Sequence, residues 1–326
     1  MVETSIWDET LRNRIAERAT LYFPDLRGES QVRISKSTPR AYSDIYELEI
    51  TDGKHKGRRI VVKKTRSARR EYDELLSAWQ AFSAHSYYGV ARPLDYLEDG
   101  SALVMEAVRG SSLQTIFTRC YWRAASVSSA ESACQKAGKW LWLYHQTSPT
   151  TPPVSLDLDR KLSDFHRTWR DLAGVGFSEH AGEKIARRLP SMVEHLKAKL
   201  FASVRIHGDF TIDNVWLDED RVVVLDISGA RRNAPELDIG AFLNSLLLMR
   251  VGGWMPLHVF RALRQAFLRG YGFEPPVDSS AVDFFQATGM LDVLWELWER
   301  RPGHLTRVFS RPVLTGLAEI LDERTY

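Results

Sequence analysis

One stretch of the sequence contains the residue types that are needed to move a phosphoryl group. It begins with His207-x-Asp209-x4-Asn214, and the apolar run that follows ends at Asp226. A carboxylate such as Asp209 can orient an attacking hydroxyl group and accept its proton. Asn214 and Asp226 offer the hard oxygen ligands that suit Mg²⁺, the ion that neutralises nucleotide phosphates. The pattern therefore predicts phosphoryl transfer, with Asp209 catalytic and Asn214 and Asp226 as metal ligands.

The same residue types also occur in ordinary turns, because Asp and Asn are favoured there. We assign three nearby acids, Asp213, Asp218 and Asp220, to turns. The combined spacing is much rarer than any one of its members, which favours the catalytic interpretation. We interpret His207 as a structural hydrogen-bonding residue that shapes the loop, not as a catalyst.

The first third of the chain is expected to form a sheet with one helix. Alternating and β-branched residues predict three strands, then a helix over 67–84, then two strands. The strands are expected at 32–35, 44–50, 58–64, 92–97 and 102–108.

After Gly110 the pattern changes to mostly helix, with apolar residues at helical spacing. The main helices are expected at 160–173, 180–200, 236–250 and 257–270. Within this half, a strand-like island over 204–227 carries the motif. A length of 326 residues suggests about two domains. We place the boundary between 1–107 and 108–326.

The string His-Gly-Asp-Phe-x3-Asn, followed by Val-Leu-Asp-Ile, resembles the aminoglycoside phosphotransferase and choline kinase superfamily. That superfamily shares the protein-kinase-like fold. The resemblance implies an α+β fold of two lobes. The N-lobe, 1–107, would be a small antiparallel sheet with one helix that binds the nucleotide. The C-lobe, 108–326, would be larger and mainly helical, with the catalytic loop, the metal site and the acceptor pocket.

The resemblance also implies a lysine on the third strand that contacts the nucleotide phosphates and pairs with a glutamate on the next helix. Lys63 closes an apolar strand and fits this role, while Lys64 should point to the opposite face. Glu71 is the expected partner, and Glu74 is the alternative. A one-residue shift in register would exchange the two lysines.

The segment from Leu103 to Leu113 resembles the hinge between the lobes. The resemblance implies that adenine binds the main chain at Glu106 and Val108, with Met105 lining the pocket. An ordinary junction of strand, turn and helix is the alternative interpretation of this segment.

The loop over 37–43 departs from the protein-kinase pattern, because it has no glycine. Protein kinases use a glycine-rich loop so that the backbone can approach phosphate. Here the hydroxyl groups of Ser37, Thr38 and Ser43, or the Arg40 side chain, would take over that contact.

The number of sequence positions from Asp226 to Asp238 bears on the kind of acceptor. Only twelve positions separate them, which is too few for the activation loop and peptide-binding segment of a protein kinase. The acceptor is therefore expected to be a small molecule or a glycan hydroxyl group. Asp238 itself is expected to cap a helix and to brace the catalytic loop.

The C-terminal helices would supply the acceptor pocket, as the resemblance implies. They contain aromatic and acidic residues that suit a cationic aminocyclitol, a choline-like amine or a neutral sugar. Most of the aromatics are equally explained as core, and Asp292 and Glu296 are the acids that could face the cleft. The full set of candidates is Trp254, Phe284, Phe285, Trp295, Trp298, Asp283, Asp292, Glu296 and Glu299.

Composition excludes several other classes of protein. Hydrophobic residues make up 44% and charged residues 26%, which is ordinary for a globular chain and unlike a disordered one. The formal net charge of +2 is too small to indicate nucleic acid as the main partner. No uncharged run approaches the ~20 residues of a membrane span, and two cysteines are too few for a disulfide scaffold.

These observations predict an ATP- and Mg²⁺-dependent phosphotransferase. It would move the γ-phosphoryl group to a hydroxyl of a small molecule such as a sugar, a glycan precursor or an aminoglycoside-like compound. A cytoplasmic location fits the cysteine count and the N-terminal sequence. The alternative is a catalytically inactive kinase-like scaffold or nucleotide sensor, which the glycine-free loop favours. The complete set of Lys63, Asp209, Asn214 and Asp226 argues against that alternative.

Overall fold

The computed structural model describes most of the chain, and it divides into two compact units. The first unit comprises Met1–Arg109 and Val223–Ser228, and the second comprises Gly110–Val222 and Gly229–Tyr326. The first unit thus includes a short segment around Asp226 that lies far along the sequence. The described residues are 6–26, 30–39, 43–52, 57–97, 101–123, 127–147, 152–177, 179–227, 231–250, 255–272, 279–300 and 303–322.

The first unit is built on an antiparallel sheet with the strand order β1-β2-β3-β6-β5. Strand β2 shows why the sheet forms, because Tyr46, Leu48 and Ile50 alternate with more exposed residues and are buried on one face. The elements are α1 (Ile6–Tyr22), β1 (Gln31–Pro39), β2 (Asp44–Thr51), β3 (Arg58–Lys64), α2 (Ala68–Ala81), β4 (Tyr88–Val90), β5 (Pro93–Tyr96) and β6 (Ala102–Glu106).

Helix α1 corrects the expectation of a single helix in the first third of the chain. Leu11, Ile15 and Ala19 recur every four residues and are buried, and Tyr22 extends this stripe. They form one hydrophobic cluster with the buried face of the sheet. Charged residues separate the apolar ones along the sequence, so the stripe is visible only when they are placed on a helix.

The second unit is mainly helical, as the sequence predicts. Strand β8 pairs antiparallel with β11, and β7 pairs antiparallel with β9. Strand β10 crosses the boundary between the units, because its last two residues belong to the first unit. The elements are β7 (Ser111–Ser112), α3 (Leu113–Arg123), α4 (Val127–Gln146), α5 (Leu158–Gly174), α6 (Glu179–Lys197), β8 (Val204–Ile206), β9 (Val215–Asp218), β10 (Arg221–Val224), β11 (Arg231–Asn233), α7 (Glu236–Met249), α8 (Leu257–Tyr271), α9 (Ser279–Arg300) and α10 (His304–Asp322).

Two glycines allow α4 and α8 to pack with their backbones in close contact. A Cβ atom on Gly138 would lie 2.1 Å from the Phe267 carbonyl oxygen, and one on Gly270 would lie 1.9 Å from that of Gln135. Such distances are far below van der Waals contact, so larger residues would force the helices apart. This close approach fixes the helices that carry two residues of the site described below.

A set of stacked aromatic rings forms the core below the His207–Asn214 loop. The Phe242 and Phe267 ring centroids lie 4.0 Å apart, and those of Trp140 and Phe210 lie 5.6 Å apart. Phe210 directly follows Asp209 and is fully buried. The core therefore anchors the chain immediately next to the predicted catalytic residue.

No helix in the described ranges combines the length and the apolar character that crossing a membrane would require.

Candidate active site

The loop between β8 and β9 presents the Asp209 carboxylate to solvent while its neighbours are held firmly. Ile206 and Phe210 are buried, whereas Asp209 is exposed. Gly208 adopts a φ of 86°, a left-handed conformation that glycine takes without a steric penalty. The backbone can therefore turn sharply and leave the carboxylate accessible to a substrate.

His207 lies in the core, in agreement with its structural interpretation. Its side chain is fully buried, and its ring packs edge-on against Phe210 with centroids 5.7 Å apart. Its Nδ1 atom accepts a hydrogen bond from the Asp209 backbone N–H at 3.3 Å. His207 thus shapes the loop from below.

Asn214 lies beside Asp209 and bonds to it twice. The Asn214 Nδ2 group donates to the Asp209 backbone oxygen at 2.9 Å and to its Oδ2 atom at 3.1 Å. These bonds use the amide nitrogen and orient the side chain. The remaining amide oxygen of Asn214 is the atom that a hard cation would need.

Asp238 holds the catalytic loop through the backbone. Its Oδ2 atom accepts the His207 N–H at 2.7 Å, and its Oδ1 atom accepts the Gly208 N–H at 2.8 Å. The expected bracing role agrees with this geometry. The expectation that Asp238 caps a helix is wrong, because the N-cap of α7 is Pro235 and Asp238 is already in the first turn. Its carboxylate is engaged by the loop and not by its own helix.

His145 and Tyr271 complete this buried network, and no motif in the sequence identifies them. His145 Nε2 lies 3.0 Å from Asp238 Oδ2, and His145 Nδ1 lies 2.8 Å from the Tyr271 hydroxyl. Burial alone would raise the pKa of the Asp238 carboxyl, but the bonds from His145 and His207 outweigh it and the pKa is lowered. The carboxylate is therefore ionised and accepts three donors. His145 is 93 positions from Asp238 and 126 positions from Tyr271 in the sequence, so no local pattern could reveal these contacts.

The first unit contains the second part of the predicted machinery, centred on Lys63. The Lys63 Nζ atom forms ion pairs with Glu71 Oε2 at 3.0 Å and with Asp226 Oδ1 at 2.8 Å. Burial lowers the pKa of the Lys63 amine, but the carboxylates of Asp226 and Glu71 outweigh burial and raise it. The structure thus brings together three of the predicted residues, Lys63, Glu71 and Asp226.

Strand and helix geometry explain why Lys63 and Glu71 meet. Ile60 and Val62 are fully buried against the α1 side of the sheet, so Lys63 projects from the opposite face. Glu71 is buried in the first turn of α2, where its Oε1 atom accepts bonds from Thr65 at 2.8 Å and Ser67 at 2.7 Å. Both ends of the ion pair are therefore fixed before any ligand binds.

Asp226 has an unusual backbone conformation. Its φ of 60° lies in the left-handed region that residues with a Cβ atom seldom adopt. Such a conformation costs about 1–3 kcal/mol and is concentrated at functional sites. The conformation directs the Asp226 carboxylate to Lys63.

The predicted adenine-binding segment lies at the end of β6. Met105, Glu106 and Val108 are all half-buried. The Glu106 N–H donates to Arg92 O at 2.9 Å, whereas the Val108 N–H meets no acceptor within the described ranges. A ligand with a hydrogen-bond acceptor, such as a purine ring, could bind at Val108.

The glycine-free segment is part of a strand hairpin. Ser37 and Thr38 belong to β1 and pair with Tyr46 and Ile45 of β2. Arg40 lies outside the described residues. The side-chain hydroxyl groups of this segment stay candidates for phosphate contact.

The acceptor candidates on α9 fall into two groups. Phe284, Phe285 and Asp283 are buried, and Asp283 pairs with Arg264 at 3.3 Å. These residues belong to the core, as the alternative interpretation states. Asp292 and Glu296 are exposed, and Trp254 lies outside the described residues.

The predicted metal ligands offer oxygen atoms, which are the donors that a hard cation prefers. Within the part of the chain that the structure describes, no group of three or more His, Cys, Asp or Glu residues could hold a metal ion. Mg²⁺ commonly binds through one or two protein oxygens while substrate phosphates and water complete its shell. Asn214 of the second unit and Asp226 of the first unit each carry a side-chain oxygen of that kind.

The fold is that of the kinase-like class. A glucosamine kinase in complex with glucosamine, ADP and phosphate is similar, with 14% identity, a TM-score of 0.64, and coverage of 90% of this chain and 82% of that one. An aminoglycoside phosphotransferase-like protein from Ralstonia eutropha has 14% identity, a TM-score of 0.63, and coverage of 98% and 99%. An amicoumacin kinase in complex with AMP-PNP and Ca²⁺ has 16% identity, a TM-score of 0.57, and coverage of 97% and 96%.

The sequence identifies the family. A model of the phosphotransferase enzyme family, APH, matches residues 41–283. This range includes Lys63, Glu71, Met105, Glu106, Val108, Asp209, Asn214 and Asp226. The chain belongs to this family of phosphotransferase enzymes. None of the curated proteins matches the sequence. The resemblance and the α+β fold class inferred from the sequence are confirmed.

Proposed function

We propose that the protein transfers the γ-phosphoryl group of ATP to a hydroxyl group of a sugar-like or amine-bearing small molecule in a Mg²⁺-dependent reaction. The observation that carries the proposal is the buried Lys63 amine held at 3.0 Å from Glu71 and 2.8 Å from Asp226. A lysine fixed in this way supplies a positive charge of defined position to a polyphosphate. The names of the structural neighbours, which include kinases of glucosamine and amicoumacin, support an acceptor of this kind.

The nucleotide would bind mainly to the first unit. Lys63 would contact the α- and β-phosphates while Glu71 holds its amine in place. Adenine would bind the main chain at Glu106 and Val108 with Met105 against the ring. The unused N–H group of Val108 supports this assignment.

Catalysis would rest on Asp209. The oxygen of the acceptor hydroxyl forms a bond to the γ-phosphorus, the bond from that phosphorus to the ADP oxygen breaks, and the hydroxyl proton passes to the Asp209 carboxylate. Asp209 is exposed, and a hydrogen bond of 3.1 Å from Asn214 Nδ2 to its Oδ2 atom fixes the orientation of the carboxylate. Positioning of this kind accounts for most of the catalysis in phosphoryl transfer.

Asn214 and Asp226 would hold Mg²⁺, which supplies positive charge to the phosphates when bound. The Asn214 amide nitrogen is engaged by Asp209, so its oxygen is directed away and suits a cation. Asp226 has a φ of 60°, and its carboxylate lies 2.8 Å from the Lys63 amine.

Phosphoryl transfer to a hydroxyl panel tests the proposal. The wild-type protein, incubated with ATP and Mg²⁺, should phosphorylate at least one member of a set of sugars, aminoglycosides and amino alcohols, as followed by phosphorus NMR. EDTA should abolish transfer, and D226N should lower it by about 100-fold or more. The matched variant D220N changes an exposed turn residue and should leave transfer unchanged. ATP binding without transfer to any member would favour an inactive nucleotide-binding scaffold instead.

A further inference from the structure

Helix α7 contacts the catalytic loop at a second polar position, seven residues beyond Asp238. The Ile212 backbone N–H donates a hydrogen bond to the Ser245 Oγ atom at 3.2 Å. In the sequence, Ile212 lies between Asp209 and Asn214, three residues after the first and two before the second. The contact therefore reaches the part of the loop that joins the predicted catalytic residue to a predicted metal ligand.

The spacing along α7 explains why Ser245 faces the loop. Asp238, Phe242 and Ser245 occupy positions i, i+4 and i+7, which lie on one face of a helix. Asp238 holds the start of the loop through two backbone N–H groups. One turn later Phe242 packs against the Phe210 ring, with the two centroids 5.5 Å apart. Ser245 then binds Ile212, so the loop follows this face of the helix residue by residue.

The Ser245 hydroxyl group is oriented by its own helix. Its Oγ atom donates to the Phe242 carbonyl oxygen at 2.7 Å. A serine hydroxyl has a single proton to donate and two lone pairs that can accept. Because the proton is used within α7, Ser245 is left to act as an acceptor, which is what the Ile212 N–H group requires.

The Ile212 peptide groups are held from two sides. Its side chain is buried, and its carbonyl oxygen accepts the Gln114 N–H at 3.2 Å. Gln114 is the second residue of α3, and N–H groups in the first turn of a helix have no partner within that helix. The loop could turn the Ile212 N–H towards water only by breaking these contacts. Loss of the Ser245 hydroxyl would therefore shift the loop or leave a buried donor without an acceptor.

We propose that Ser245 is a positioning residue for phosphoryl transfer, because it holds the Ile212 backbone and thereby fixes the loop that presents Asp209 and Asn214. This inference rests on the proposed function. A displacement of about 1 Å at the reacting groups can lower a rate by about 100-fold. A hydrogen bond beneath the loop can therefore control the chemical step although its side chain acts only through the backbone.

The variant S245A tests the proposal because it removes the acceptor and little else. With an accepted hydroxyl compound, kcat for transfer should fall by about tenfold or more, while KM for the acceptor and the Kd for ATP stay within a few-fold of the wild type. Amide hydrogen exchange followed by NMR gives a readout besides activity. The Ile212 amide should exchange about tenfold or more faster in S245A than in the wild type.

Two further variants serve as controls. Ser191 of α6 is a matched serine, since its Oγ atom donates to the Arg188 carbonyl oxygen at 2.8 Å, also three residues earlier in its own helix. S191A should leave both kcat and the exchange of the Ile212 amide unchanged. S245T keeps an oxygen that can bond the same carbonyl group within a helix, so it should restore kcat to within a few-fold of the wild type. Thermal unfolding of each variant establishes that it is folded.

Four outcomes would overturn the proposal. They are a wild-type kcat in S245A, an unchanged exchange rate of its Ile212 amide, an equal loss of kcat in S245T, and an S245A protein that does not fold, since Ser245 would then be a structural residue. A wild-type protein that shows neither transfer nor Asp209-dependent ATP hydrolysis would instead count against the proposed function itself.

Discussion

The buried Asp238 carboxylate offers the sharpest test of how the catalytic loop is held. It accepts hydrogen bonds from the His207 and Gly208 N–H groups and from His145, at 2.7, 2.8 and 3.0 Å. In D238N the amide oxygen can replace only one carboxylate oxygen, so the amide NH₂ group faces a donor. An unsatisfied buried donor costs about 1–3 kcal/mol. We expect D238N to lower the free energy of unfolding by about 2–3 kcal/mol and D238A by about 3–5 kcal/mol.

The effect of D238N should depend on pH in a defined direction. The pKa of Asp238 in the folded protein lies below its ordinary value of 3.8. The ionised carboxylate therefore stabilises the fold fully above about pH 4, and this contribution is lost as the pH falls through the folded pKa. Because D238N lacks the contribution at every pH, its difference from the wild type should be largest near neutral pH and should shrink in acid.

Urea unfolding of both proteins between pH 3 and pH 7 measures this difference. Nucleotide affinity provides a second readout, because Lys63 and Glu71 belong to the first unit, whereas Asp238 belongs to the second. We expect kcat to fall by about tenfold or more while the Kd for nucleotide changes little. A D238N protein with wild-type stability at pH 7, or a difference that grows in acid, would refute the proposed role of Asp238.

Further variants test the ion pair, the helix packing and the polar core. K63M should lower kcat/KM by about 100-fold or more, whereas its neighbour variant K64M should stay within a few-fold of the wild type; equal losses would contradict the assigned strand face. G138A should destabilise the protein by about 1–3 kcal/mol or more, since its Cβ would lie 2.1 Å from a carbonyl oxygen. No atom lies within 4 Å of the place that a Cβ atom on Gly174 would take, so G174A should leave the free energy of unfolding unchanged. Thermal unfolding of both variants measures the difference. Both amide atoms of the buried Gln286 side chain meet no partner among the described residues, so Q286M should raise the unfolding temperature, and a lower one would indicate a hidden partner.

The catalytic loop was predictable from sequence because its residues lie within a short stretch. The spacing from Asp209 to Asn214 allows one loop to bring both side chains within 3.1 Å. Lys63 was predictable for a related reason, since alternation along β3 determines its face once the strand is recognised. Its contact with Asp226 was not predicted, because 163 positions separate the two residues and no local pattern joins them.

Other features lie beyond local patterns. His145 contacts Asp238 across 93 positions, and a lone histidine in a helix carries no signal of such a contact. Helix α1 was not predicted, because only four residues form its buried stripe and charged residues lie between them in the sequence. Asp238 was expected to cap α7, but its carboxylate accepts hydrogen bonds from the His207 and Gly208 N–H groups instead. In each case tertiary contacts decide what the local sequence leaves open.

Single-turnover transfer by D209N tests the central claim most directly. With bound ATP, Mg²⁺ and an accepted hydroxyl compound, the rate of γ-phosphoryl transfer should fall by about 10²–10⁴-fold, because the proton of the hydroxyl loses its acceptor. The Kd for ATP should stay within a few-fold of the wild type, because D209N leaves Lys63, Glu71 and the Val108 N–H group unchanged. A D209N protein that transfers the phosphoryl group at the wild-type rate would contradict the account.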